Sequence, residues 1–235
     1  MVIEPTMSHA ITGISSMATR NVLADLVEQY ARHSRQRVLI ESVGGVEAAR
    51  RVLDGEPFDI VVLAAEAIDR LAAAGRIVPG SRADVARSGV AIAVAAGATQ
   101  PDIAGEAAVR DAVLAARSIG YSSGPSGSQL LRLFERWGIA ETIASRIVQA
   151  PPGVPVGSLV ASGEVELGFQ QLSELMHLPG IDVVGTLPPE IQLVTVFSAA
   201  VCTVSEQTTE AQALISFLVS PQAASAKLAH GMESV

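Results

Sequence analysis

Apolar and polar positions along this chain switch between a period of two and a helical period, segment by segment. Residues 10–14 read as a strand, and residues 18–33 as an amphipathic helix with Val22, Leu23, Leu26, Val27 and Tyr30 on one face. A second strand follows at 37–41 and a short helix at 46–53. Phe58-Asp59-Ile60-Val61-Val62-Leu63 has the continuous apolar character of a strand buried in a parallel sheet. The helix predicted over 67–74 is stopped by Gly75. This alternation predicts an α/β fold with helices covering a parallel sheet, and ligands in such sheets bind beyond the carboxyl ends of the strands.

The middle of the chain repeats the scheme. Strands are predicted at 89–96, 118–121, 146–149 and 166–169, and helices at 106–115, 128–137 and 156–161. A β-rich run then covers 191–204, and two helical segments, 209–219 and 221–230, close the chain. The β runs near 88–96 and 191–204 carry the chain out of one lobe and back. The expected organisation is a discontinuous first lobe, 1–89 with 197–235, and a second lobe, 90–196.

Three polar segments sit where predicted strands end and helices begin. They are Ile14-Ser15-Ser16-Met17-Ala18-Thr19-Arg20, Glu41-Ser42-Val43-Gly44-Gly45-Val46 and Gly120-Tyr121-Ser122-Ser123-Gly124-Pro125-Ser126-Gly127. A helix N-terminus presents unpaired N–H groups and partial positive charge, so several aimed at one cleft form an anion site without lysine or metal.

Composition narrows the classes. With 235 residues, 49% hydrophobic and 17% charged, the chain is a globular protein of one or two domains. Its net charge of −8 and lack of a basic cluster speak against a nucleic-acid partner. No apolar run approaches the roughly 20 residues that span a bilayer. Cys202 is the only cysteine, so no internal disulfide forms. Residues 1–7 lack the basic and apolar regions of an export signal. The location expected for the chain as written is cytoplasmic, or periplasmic if a signal has been removed.

The order and spacing of the serine turn at 15–16, Gly44-Gly45, the 58–63 strand, the 121–127 turn and Leu167-Gly168-Phe169 before a polar helix start resemble type II periplasmic solute-binding proteins, in their molybdate-binding-protein-like branch. The resemblance runs from Ile11 to about His230. It implies two α/β lobes with mixed sheets, the two β crossovers serving as a hinge. It also implies a monomer closing on a small oxyanion or carboxylate and feeding an ABC-type permease, with no cofactor or metal. The first-strand serine corresponds to Ser15 or Ser16, the second site to residues 42–45, the second-lobe helix start to residues 123–128, and a further backbone site to Val156. Where molybdate binders typically carry tyrosine, Gln170 or Gln171 stands here, and an amide suits a carboxylate or hydroxyl ligand better. The 121–127 and 168–174 stretches look closer to a side group of this branch containing aconitate isomerase. The alternative function is therefore an isomerase making an allylic proton shift on a tricarboxylate.

Each candidate residue has a structural role to set against the functional one. Ser15, Ser16 and Thr19 suit helix capping as well as ligand binding. Gly44 and Gly45 either relieve a tight turn or admit close backbone approach. Tyr121, Ser123, Gly124, Ser126 and Gly127 form an ordinary loop or a ligand wall, and no Walker Gly-Lys-Ser/Thr follows them. Arg20 could fork onto a carboxylate or simply be solvated. Glu174 is the acid–base candidate, set against helix-dipole stabilisation; Glu41 is a weaker one. The four histidines have no metal spacing, and Cys202 has no histidine partner.

Overall fold

A computed structural model describes residues 9–34 and 36–235. The expectation drawn from residues 1–7 lies outside that range. The strands and helices follow in the order β1 (Ile11–Ser16), α1 (Arg20–Ser34), β2 (Val38–Val43), α2 (Gly45–Leu53), β3 (Ile60–Ala64), α3 (Ala65–Ala73) and β4 (Ala83–Ala95). They continue with α4 (Glu106–Ala115), β5 (Ile119–Tyr121), α5 (Pro125–Arg136), α6 (Ala140–Ile143), β6 (Ile147–Gln149), α7 (Val156–Ala161) and β7 (Leu167–Gln171). The chain closes with α8 (Leu172–Leu175), β8 (Ile181–Thr186), β9 (Val194–Val201), α9 (Thr208–Leu218) and α10 (Ala224–Ala229).

Residue contacts divide the chain into two units. The first holds the described residues up to Val85 with Phe197–Lys227; the second holds Ala86–Val196 with Leu228–Glu233. β4 and β9 each run from one unit into the other, and the chain passes between units again within α10, between Lys227 and Leu228.

In the first unit β1 pairs in parallel with β2 and β3, and β3 pairs antiparallel with β9. The sheet is therefore mixed. Ile60, Val61 and Val62 are fully buried, which explains why that segment shows no alternation. α1 buries Val22, Leu23, Leu26 and Tyr30 on one face, and the Tyr30 ring lies 5.3 Å from Phe217 of α9. Asp59, nearly buried, accepts from Thr12 N (2.8 Å), Thr12 Oγ1 (3.0 Å) and Ser205 Oγ (2.6 Å), so its burial is compensated by hydrogen bonds.

In the second unit β4 pairs antiparallel with β7 and with β8. β7 and β6 both run parallel to β5. Their carboxyl ends therefore share one edge, from which α5, α7 and α8 start. The core gathers Val90, Ile92, Val109, Leu130, Phe134, Leu167 and Phe169, with the Phe134 and Phe169 rings edge to face at 6.2 Å.

Several boundaries differ from expectation. β4 begins at Ala83 rather than near residue 89, because Arg82, Asp84 and Arg87 interrupt the apolar signal of a strand that pairing nonetheless holds. β8 has no counterpart among the predicted strands; it follows the turn at Gly180 and supplies a further antiparallel neighbour of β4. The tail Leu228–Glu233, expected with the first lobe, belongs to the second unit. There Arg87 and Glu233 exchange two backbone hydrogen bonds of 2.9 Å, and Gly231 leaves no room for a side chain against Leu172 and Met176.

Candidate functional site

The polar ends of the first unit's parallel strands lie side by side. Register sets Ser15 opposite Ser42 on β2, and their hydroxyl oxygens are 2.8 Å apart. Ser15 Oγ also reaches the Ser16 carbonyl at 3.4 Å, so Ser15 and Ser42 are engaged with each other and with the backbone. Ser16 differs. It is 8% exposed, yet its Oγ has no hydrogen-bond partner among the described residues. It precedes the 3-10 turn Met17–Thr19, but its side chain makes no capping bond. Thr19 Oγ1 instead donates back to the Ser16 carbonyl at 3.0 Å. Capping therefore does not account for Ser16. A buried hydroxyl left unpaired costs about 1–3 kcal/mol, which makes it a group that awaits an acceptor.

Gly44 and Gly45 lie beside it. Gly44 precedes α2 with φ −56° and ψ 135°, a conformation open to any residue. A Cβ on Gly45 would sit 3.6 Å from Ser16 Cβ, an ordinary contact. Backbone strain thus requires glycine at neither position, and the missing side chain at 45 leaves space against Ser16. Arg20, the first residue of α1, is exposed and makes no ion pair or side-chain hydrogen bond among the described residues. A cation at a helix N-terminus opposes the macrodipole, so local helix energetics do not explain it. Glu41 is engaged elsewhere: Arg51 donates to it at 2.7 Å and holds its carboxyl below the usual range.

In the second unit the expected residues gather at the carboxyl ends of β5, β6 and β7. The turn after β5 enters α5 through Gly124, whose carbonyl accepts from Gly127 N (3.1 Å) and Ser128 N (3.3 Å). Pro125 at the helix start has no N–H to satisfy, as that position permits. Ser122 Oγ and Ser126 Oγ are 3.1 Å apart, and Ser126 is nearly buried. Ser123 is exposed. A Cβ at residue 127 would lie 1.8 Å from the Ser122 carbonyl oxygen and 3.0 Å from Tyr121 Cδ2. Gly127 is therefore required by the close passage of the turn over the helix, and Tyr121 is drawn against the unit's core.

Val156, Gln170 and Glu174 are brought together, chiefly with one another. Gln170 Oε1 accepts from Val156 N at 2.8 Å, and Gln170 Nε2 donates to Glu174 Oε1 at 2.8 Å. The Val156 N–H expected to face a ligand is thus occupied by a side chain of its own unit. The Gln171 amide is buried and lies 2.7 Å from Thr195 Oγ1. In the orientation that satisfies both ends, its oxygen accepts from that hydroxyl and its nitrogen donates to the Ser88 carbonyl at 2.9 Å. Gln171 therefore ties strands together. Ser173, between the glutamines and Glu174, is 3% exposed, and its Oγ is unpartnered among the described residues. Nothing in the sequence distinguishes it, because a serine in a helical first turn looks like an ordinary capping residue.

Electrostatically the most altered carboxyl is Glu174, which desolvation pushes up to about 7 against the opposing hydrogen bond from Gln170. It can take up or release a proton near neutrality. Burial, with the nearby charge of Asp59 adding to it, raises the Cys202 thiol to about 12, which leaves it protonated. Among the described residues no three His, Cys, Asp or Glu side chains gather to hold a metal. No helix among them is long and apolar enough to cross a membrane.

Comparison with known proteins sets this geometry in a family. The chain is 35% identical over 231 residues to aconitate isomerase from a Pseudomonas species, covering 96% of this chain and 88% of that protein. Its fold is shared with the periplasmic molybdate-binding protein of Azotobacter vinelandii, at TM-score 0.78 and 22% identity over 94% of this chain and 98% of that one. It is also shared with the sulfate-binding protein SubI of Mycobacterium tuberculosis, at TM-score 0.79 and 17% identity over 97% and 88%. Residues 11–233 match the family model described as bacterial extracellular solute-binding protein, and the chain belongs to that family.

Proposed function

We propose that this protein binds a small organic anion bearing carboxylate groups, as the solute-binding component of an ABC-type transporter. The observation that carries the reading is the Ser16 hydroxyl, buried at the end of β1 without a partner among the described residues. The space at Gly45 and the exposed Arg20, unpaired among the described residues, support it, since both are explained by an acceptor-rich ligand and neither by local structure. Neighbours of the same fold are named for molybdate and sulfate, which favours an anion. The 35% identical relative is named for aconitate, which favours a carboxylate. The glutamines do not contribute to this choice, because their amides are engaged within the second unit. The reading places the protein outside the cytoplasmic membrane, with a permease as partner.

A thermal-shift series with molybdate, tungstate, sulfate and di- and tricarboxylates tests it. A ligand at 100 times its Kd adds about 2.7 kcal/mol of stability, about 5–11 °C for a chain of this length. A tricarboxylate should produce that shift. Stabilisation by molybdate alone would refute the organic-anion assignment.

Glu174 favours a second reading, an isomerase acting by an allylic proton shift. A carboxyl near pKa 7 beside an unpartnered Ser173 hydroxyl suits a group that removes a proton from one carbon and returns it to another. Proton NMR of trans-aconitate in deuterated water decides it. Deuterium incorporation that disappears in Glu174→Gln supports catalysis, and no exchange with no isomer formed leaves binding alone.

A further inference from the structure

Beyond its first turn, α5 lines a polar cavity. Gln129, Arg132, Leu133 and Arg136 recur at spacings of three and four, so they share one helix face. With Glu190 and Ile191 they line a cavity of about 290 Å³. Small-molecule sites run from roughly 300 to 1,000 Å³, so this one suits a small metabolite. All its lining residues lie in the second unit, whereas Ser16, Gly45 and Arg20 lie in the first. The Gln129 amide oxygen is buried and accepts no hydrogen bond among the described residues. Buried acceptors are nearly always paired, and the soft last torsion of a glutamine lets the oxygen turn towards an entering donor. Arg132 is exposed and has no ion pair or hydrogen bond among the described residues. It stands four residues before Arg136, a like-charge spacing that destabilises a helix, and it precedes the last turn, where a cation gains from the macrodipole. Arg136 is neutralised by Glu106 at 2.7 Å. Arg132 is not.

Glu190 completes the set. Its Oε1 accepts from Glu106 N at 3.1 Å, while its Oε2 has no partner and its charge no cation among the described residues. The lining thus holds one unpaired cation together with two acceptors, Gln129 Oε1 and Glu190 Oε2, that lack a donor. A guanidinium takes a carboxylate in a two-pronged bond. An amide oxygen and a carboxylate oxygen both accept from an ammonium, which offers donors alone. We propose that this cavity binds a small zwitterion, an amino acid with an apolar side chain. Its carboxylate meets Arg132, its ammonium meets Gln129 and Glu190, and its side chain packs on Leu133 and Ile191, both apolar and buried. A plain anion would leave the two acceptors unsatisfied, and a plain amine would leave Arg132 unpaired. The proposal is independent of the anion-binding reading, which rests on the first unit.

The test is isothermal titration of wild type, R132Q, E190Q and S16A with L-leucine, and of wild type with isocaproate and isoamylamine, which are leucine without its amino group and without its carboxylate. Wild type should bind leucine at one saturable site and each truncated probe at least about tenfold more weakly. R132Q and E190Q should each lower leucine affinity about 10- to 150-fold, the scale of one charge-assisted hydrogen bond. S16A should leave it unchanged. The ligand-free Tm of R132Q should match that of wild type, since Arg132 has no partner to lose, so its lost affinity is not a folding defect. Absence of saturable leucine binding would overturn the proposal. So would isocaproate binding as tightly as leucine, which marks a plain anion site. Leucine affinity lowered by S16A but not by R132Q would place leucine in the first unit and overturn it too, as would wild-type affinity in both R132Q and E190Q.

Discussion

Replacing Ser16 with alanine separates ligand binding from stability. Its hydroxyl makes no hydrogen bond among the described residues and no capping bond to the following turn, so Ser16→Ala breaks no contact of the ligand-free protein. It also removes a buried unsatisfied group whose desolvation costs about 1–3 kcal/mol. At about 2–4 °C per kcal/mol for a chain of this length, the ligand-free variant should melt at or a few degrees above wild type. Binding should move the other way. A hydrogen bond to a charged acceptor contributes about 1.5–3 kcal/mol, so Kd should rise about 10- to 150-fold. Differential scanning calorimetry and isothermal titration with citrate measure both on the same samples. Unchanged affinity would refute the placement of the anion at Ser16. A large drop in the ligand-free Tm would show that the hydroxyl serves the fold instead.

Gly45→Ala makes a companion test: its new Cβ meets Ser16 Cβ at an ordinary 3.6 Å, so the fold should tolerate it while the ligand loses its approach and affinity falls at least about tenfold. Glu174 gives a pH signature. Its carboxyl titrates near 7 in the folded chain and near 4.5 otherwise, so the folded state holds the extra proton between those values and stability should fall by up to about 3 kcal/mol as pH rises through that window. Urea denaturation across pH 4.5–7.5 should show the fall in wild type, and Glu174→Gln should flatten it; identical curves would place the carboxyl in water. Cys202, buried and held protonated, should resist a thiol reagent at pH 8 in the native protein and react at once in denaturant.

Much of the fold was legible because local chemistry and tertiary packing agree. The apolar block at 58–63, the α1 stripe and the Ser/Gly turns before α2 and α5 each announce their element within a few residues. β4 and β8 were less visible. Polar residues at 82, 84 and 87 mask the start of β4, and β8 is held by pairing with a strand nearly ninety positions earlier in the chain. The candidate site divides along the same line. Sequence places serines, glycines and glutamines at strand ends but does not say which of their hydrogen bonds are already made. Ser15 and Ser16 look equivalent until the β1–β2 register gives Ser15 to Ser42 and leaves Ser16 unpartnered. Gln170 and Gln171 read as ligand groups until Val156, Glu174, Ser88 and Thr195 engage them.

Isothermal titration of the unmodified protein with citrate is the most direct test of the central claim. The account predicts one saturable site, with affinity reduced about 10- to 150-fold by Ser16→Ala. Absence of saturable heat from citrate and trans-aconitate, whether or not molybdate or sulfate binds, would contradict it.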